Sequence, residues 1–179
     1  GDNSSWWSHL LLNLKMMPSL NMCGFLYTGA DLGGFSCNTT EDLLLRWLAL
    51  GVFTPLMRNH AGAGTREQEY FRFADQLPAL REMLRLRYAL LPYLYSEFMK
   101  SALENTGYFR PLGFDWPADP EAREVQDQLL LGEGVMVAPV YPACRPPLCA
   151  LCPERSAAVR AAGSCRAAGK ARCLHRRAG

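Results

Sequence analysis

Residues 29–60, GADLGGFSCNTTEDLLLRWLALGVFTPLMRNH, restrict the fold more than any other part of the chain. They follow a short apolar run, Gly24-Phe25-Leu26-Tyr27, and place a carboxylate, Asp31, beside a Gly33-Gly34 corner. An apolar run of that length, closed by a Gly-rich turn, predicts a buried strand ending in a loop. Asn38-Thr39-Thr40-Glu41-Asp42 then has helix-start chemistry. A Thr or Asn oxygen accepts from an orphan amide there, and the acids favour the positive helix end. The helix runs through Leu43, Leu44, Trp47, Leu48 and Leu50 and stops near Gly51. A second apolar run, 52–57, predicts another strand and ends on Arg58-Asn59-His60. Strand, loop, helix, strand is the unit of a (β/α) barrel, whose active site sits where the strands end. The polar groups gather at that end.

In combination these motifs are specific. GADLGGF, NTTE, the Arg46-Trp47 pair in a leucine-rich helix and LMRNH occur in that order, after an opening GDN. From residue 1 to about residue 140 the chain resembles glycoside hydrolase family 31, the α-glucosidase family. The resemblance implies an α/β fold: the C-terminal part of a (β/α)₈ TIM barrel running into the start of a β-sandwich. Residues 1–107 would be the last βα units and 108–142 the start of the C-terminal sandwich. A whole barrel takes about 250 residues and does not fit in 179.

Taken in order, the sequence predicts a loop at the N-terminus, with Ser4 or Ser5 capping a first helix. Trp6, Leu10, Leu11, Leu14 and Met17 recur at helical spacing, and Pro18 ends the pattern. Residues 61–65 read as a Gly-rich loop and Tyr70-Phe71-Arg72-Phe73 as an aromatic connector. The longest helix spans about 77–104, with Pro78 tolerated in its first turn and Pro92 as a kink. Leu80, Met83, Leu84, Tyr88, Leu91, Leu94, Tyr95 and Phe98 keep its 3.6 period, and Asn105-Thr106-Gly107 stops it. Residues 108–117 predict a strand and a turn, 119–128 a short helix, and Val135-Met136-Val137 a strand.

From residue 143 the composition changes. The formal charge of +2 conceals a tail with seven Arg and one Lys against Glu154, leaving about −5 for the rest. This Ala-, Arg-, Cys- and Pro-rich stretch has no period of either kind, so it reads as a disordered basic tail. A nucleic-acid-binding arm has such a charge, but GC-rich coding sequence read out of frame has the whole composition. The second reading is preferred, and no nucleic-acid partner is expected. Five of the seven cysteines lie there. Cys149-x-x-Cys152 has metal-type spacing but lacks a second tight pair, so no zinc site is expected. No apolar run reaches the length of a membrane span. No leader is visible, which slightly favours the cytoplasm, but the chain does not begin with Met and the sequence leaves localisation open.

The resemblance also assigns chemistry. A retaining glycosidase uses two carboxyl groups, one attacking the anomeric carbon and one exchanging a proton with the leaving oxygen and then with water. Asp2 alone would be a solvated terminal residue or a cap; beside the other motifs it matches the general acid/base. That role requires a raised pKa. Asp31 matches the carboxylate that holds sugar hydroxyls or orients a neighbouring Arg, its plainer role being to bond its own turn. Arg58 and His60 match contacts to the sugar, where they favour the transition state. Phe35 and Trp7 are aromatic candidates for the pocket or the core. The implied substrate is an oligosaccharide with a terminal α-glucosyl unit, and the chemistry needs no metal or organic cofactor. The family's nucleophile, in a W-x-D-M-N-E type motif, is absent from the sequence, so these residues alone are expected to be inactive. Two other readings accompany this one: a non-catalytic, sugar-binding or partner-dependent piece, and an α-xylosidase of the same family.

Overall fold

In the computed structural model, residues 2–141 and a short strand, Arg160–Ala161, are described. The first helix, α1 (Trp7–Met22), buries Leu10, Leu14, Met17, Pro18 and Asn21 on one face. Pro18 does not end it, contrary to expectation. A helix-interior proline costs about 3 kcal/mol, but here its ring is buried and the next turn carries Asn21. Asn21 Nδ2 donates to Phe25 O (3.0 Å) and Oδ1 accepts from Phe109 N (2.8 Å), so the extra turn is anchored at both ends. Neither serine caps α1. The N-cap is Trp6, and Ser5 Oγ donates instead to Ser36 O and Cys37 O.

Helix α2 (Glu41–Gly51) begins as its sequence predicts, with Thr40 Oγ1 accepting from Leu43 N at 3.3 Å. The flanking strands do not form where the apolar runs placed them. Phe25 and Tyr27 are about two-thirds exposed, at 66% and 67%. The extended contact starts at Thr28, where Leu56 N donates to Thr28 O and Leu32 N to Arg58 O. Asp31 and Arg58 pair there in parallel over a single residue. A parallel strand is specified by neighbours on both edges; among the described residues, 28–32 has this one. Residues 52–54 instead continue α2 as turns, their amides bonding back to Leu48, Leu50 and Gly51 carbonyls. Arg87 closes that end, donating to Val52 O (2.8 Å) and Thr54 O (2.7 Å). A helix C-terminus leaves such carbonyls without partners. Burial pushes the Arg87 guanidinium below its ordinary value.

Two 3₁₀ turns, Tyr70–Arg72 and Ala74–Gln76, lead into α3 (Leu77–Glu104), which has the predicted bounds. It stops at Asn105 in the left-handed region (φ 55°). Only part of its apolar stripe is covered: Leu80, Met83 and Leu94 are buried, while Tyr88 and Tyr95 are 72% and 67% exposed. Leu10, Leu14, Leu44, Trp47, Leu48, Val52 and Leu80 form the centre of one core, to which Tyr108, Phe109, Leu129 and Leu131 of the following sheet also belong.

That sheet runs β1 (Phe109–Pro111), β2 (Leu129–Leu131), β3 (Val135–Val137), β4 (Arg160–Ala161), each pair antiparallel. Two short helices, α4 (Leu112–Asp115) and α5 (Pro120–Glu124), fill the β1–β2 connection. Asp119 caps α5 through Glu121 N and Ala122 N. Strand β2 was not expected, because its Leu-Leu-Leu run has no alternation; all three of its residues are buried. Tyr108 OH to Phe53 O (2.9 Å) and Tyr93 OH to Leu131 O (2.8 Å) tie the sheet to the helices. Replacing Asn21 by Ala leaves the buried Phe109 amide without its acceptor. A loss of about 1–3 kcal/mol is expected in urea denaturation of the full-length protein, and an unchanged midpoint would show that another group takes the bond. Apart from β4, the expected disorder of 143–179 and the Cys149/Cys152 spacing lie outside the described residues.

Candidate active site

The N-terminal loop is docked rather than free. Asn3 O accepts from Phe35 N (2.7 Å) and Ser36 N (2.9 Å), and Ser5 N donates to Ser36 O (2.8 Å). From the other side, α1 holds it: Asn13 Nδ2 donates to Asn3 Oδ1 (2.9 Å), and Ser4 N to His9 Nδ1 (2.9 Å). Asp2 therefore sits one residue ahead of a segment fixed to the turn that follows Asp31, and it is exposed. His9 and Asn13 were not anticipated as supports. A half-buried polar residue on a helix gives no sign, in sequence, that it reaches back to a loop.

Asp31 is 4% exposed. Its Oδ1 accepts from Arg58 Nε at 2.6 Å, across the same two residues that pair through their backbones. A charge-assisted bond of that length is a strong one. The bond to Asp31 and then its charge hold the Arg58 guanidinium above its ordinary value, and Asp2 adds in the same direction. The Arg58 side chain is 54% exposed, so the pair is anchored at the carboxylate and open at the guanidinium. Beyond it, the His60 ring lies against Phe35, centroids 5.5 Å apart at 38°. His60 is exposed and Phe35 half-buried. Asp2, Asp31, Phe35, Arg58 and His60 thus come from three segments that the fold ties together. Trp7 packs against the core.

The loop after His60 is pinned by Gln68, a residue with no motif to mark it. It is buried, and its side-chain amide lies among the carbonyls of Leu32, Gly34 and His60. Depressions of about 370 and 610 Å³ lie elsewhere, beside Lys15 and Tyr141 and beside Thr40 and Arg66, and none of the five residues lines them. Among the described residues no group of His, Cys, Asp and Glu could hold a metal ion, and no helix is long and apolar enough to cross a membrane. What the site offers chemically is one exposed carboxyl group, a buried carboxylate tied to an arginine, and an exposed imidazole on an aromatic face. Such a set suits proton transfer and the binding of hydroxyl groups.

Comparison with known proteins places the chain in a family. The family model of the glycosyl hydrolases family 31 TIM-barrel domain matches residues 1–97, and that of the glycosyl hydrolase family 31 C-terminal domain matches residues 105–147. Alpha-glucosidase 2 of Bacillus thermoamyloliquefaciens is 39% identical over 141 residues, covering 78% of this chain and 18% of that protein. A crystal structure of a glucosidase II alpha subunit, bound to alpha3-Glc2, superposes with a TM-score of 0.76 at 34% identity, over 81% of this chain and 16% of that one. A family 31 alpha-xylosidase from a soil metagenome, complexed with xylose, gives 0.74 at 26% identity, over 81% and 25%. The chain thus spans about a quarter or less of the length of each. Its helices α1–α3 and the extended segments beside them are the C-terminal part of a (β/α)₈ barrel running into the family's C-terminal domain. With more than half of its 179 residues matched by the barrel model alone, this chain belongs to glycoside hydrolase family 31.

Proposed function

We propose that the protein to which these residues contribute is a retaining α-glucosidase that removes terminal α-linked glucose from oligosaccharides, with Asp2 as the general acid/base. The observation that carries the reading is the docking of the Asp2 loop, through Asn3 O, onto the turn that also presents Asp31. Asp2 would give its proton to the glycosidic oxygen as the bond to the anomeric carbon breaks. It would then take a proton from the water that releases glucose from the enzyme. Arg58 and His60 would hold sugar hydroxyls, and Phe35 would back the imidazole. These contacts gain strength as the ring flattens towards the oxocarbenium state, so they raise the rate and not merely the affinity.

Asp31 is poorly suited to attack, because it is buried and already bonded to Arg58. We assign the nucleophile to a W-x-D-M-N-E type strand outside these 179 residues, about 5–5.5 Å from Asp2 when the barrel is whole. The 179 residues alone would then turn nothing over. The likeness to an α-xylosidase supports a second reading with the same machinery but a smaller sugar. The test is an assay of the full-length protein on α-glucosyl and α-xylosyl disaccharides, with the first-formed anomer followed by proton NMR. Glucose released as the α-anomer is expected. Xylose in its place would favour the second reading, and β-anomer first would exclude a retaining mechanism.

A further inference from the structure

We infer that Gln68 is a positioning residue for the sugar-binding rim, acting through His60. Gln68 is 4% exposed. Its Nε2 shares its two hydrogens among Leu32 O (3.1 Å), Gly34 O (3.1 Å) and His60 O (3.0 Å), while its own backbone carbonyl accepts from Asn59 Nδ2 (2.9 Å). Carbonyl oxygens only accept, so the amide has to face them with its nitrogen, and a flipped side chain would set four oxygens against one another. One buried group therefore spans the two edges of the site: the turn after Asp31 on one side, and the segment that carries Arg58, Asn59 and His60 on the other.

The clamp matters because of where it holds. His60 is exposed, and its ring rests on Phe35, whose carbonyl in turn accepts from Gly62 N (2.8 Å). Gln68 fixes the His60 backbone against Leu32 and Gly34, so it sets the distance between the histidine and the turn that supplies Phe35. Without it, the loop keeps its ties at Gly62 and Arg66, beyond the histidine, so His60 itself can shift while the strand contacts at Arg58 stay in place. Drift on the order of 1 Å in a binding group can cost about 100-fold in rate. Gln68 touches no substrate in this scheme. The inference rests on the reading of His60 as a sugar contact, and its test separates the two.

The experiment uses the full-length protein with Gln68→Met, His60→Ala and the double variant. Methionine matches glutamine in length and removes the donor together with Oε1, which is buried and has no partner among the described residues. The carbonyls of Leu32, Gly34 and His60 lose their donor, so some stability should be lost, and all variants are assayed well below the temperature at which they unfold. Gln68→Met is expected to lower kcat/KM by about 10-fold, and the double variant to be no worse than His60→Ala alone, because residues acting through one group are not additive. Losses that multiply, or wild-type activity in Gln68→Met, would overturn the inference. Crystal structures of wild type and Gln68→Met give a readout independent of turnover. The His60 ring should leave Phe35 in the variant, and an unmoved ring would overturn the clamp. A wild type that hydrolyses no α-glycoside, with that displacement still seen in Gln68→Met, would sink the proposed function and leave the clamp standing.

Discussion

In the full-length protein, Asp2→Asn is expected to lower kcat on α-glucosyl disaccharides by about 10²–10⁴-fold, the usual worth of one positioned proton donor. The substitution is nearly isosteric. Asp2 is exposed, and the docking of its loop runs through Asn3 and Ser5, so the fold and the loop should survive. What is lost is the proton. A sugar or alcohol leaving group departs poorly without one, whereas a nitrophenolate or fluoride departs readily. The first step should therefore recover for activated α-glucosides, and the defect should move to the second step, where the same group deprotonates water. A burst of leaving group followed by slow turnover would be the kinetic sign. Normal turnover on natural disaccharides would remove Asp2 from the role and leave the exposed residue as nothing more than the end of a docked loop.

How much of this was legible in the sequence depends on what each signal encodes. Thr40 announced the start of α2, and the period from Leu80 to Phe98 announced α3 with both its ends. Caps and periods are local, so they read well. The same period did not say what α3 packs against, since Tyr88 and Tyr95 keep it while lying exposed. Short apolar runs were the weak point. Residues 24–27 and 52–57 looked alike as strands, yet the first is exposed at Phe25 and Tyr27 and the second winds on from α2 before it pairs at Arg58. A run of four to six apolar residues cannot distinguish a strand from a helix turn without its neighbours. The Leu129–Leu131 strand escaped for the converse reason: buried on both faces, it shows no alternation. At the site, the motif residues were visible because they are chemically distinctive. Their supports were not: His9, Asn13 and Gln68 act through backbone carbonyls, amides and buried geometry, which a sequence does not display.

The backbone at Gly34 joins these levels, and Gly34→Ala should damage the site far more than one methyl group suggests. Gly34 has φ +97°, where an L residue is strained by about 1–3 kcal/mol. A Cβ there would also lie 2.5 Å from Ser5 N and 2.7 Å from Ser4 C, backbone atoms that cannot swing aside as a side chain would. The remaining response is for residues 2–5 to lift off residues 34–36, breaking the bonds that Asn3 O and Ser36 O make and carrying Asp2 with them. Gly64→Ala is the control. Its φ of +84° imposes comparable strain, but nothing lies within 4 Å of its Cβ. Both variants should lose stability of similar size from strain, and only Gly34→Ala should also lose about 100-fold or more in kcat/KM by displacing the proton donor. If the two variants kept the same kcat/KM, the close approach at Gly34 would be irrelevant to chemistry. The reading of the docked loop as the acid/base platform would then fail, even with the family membership intact.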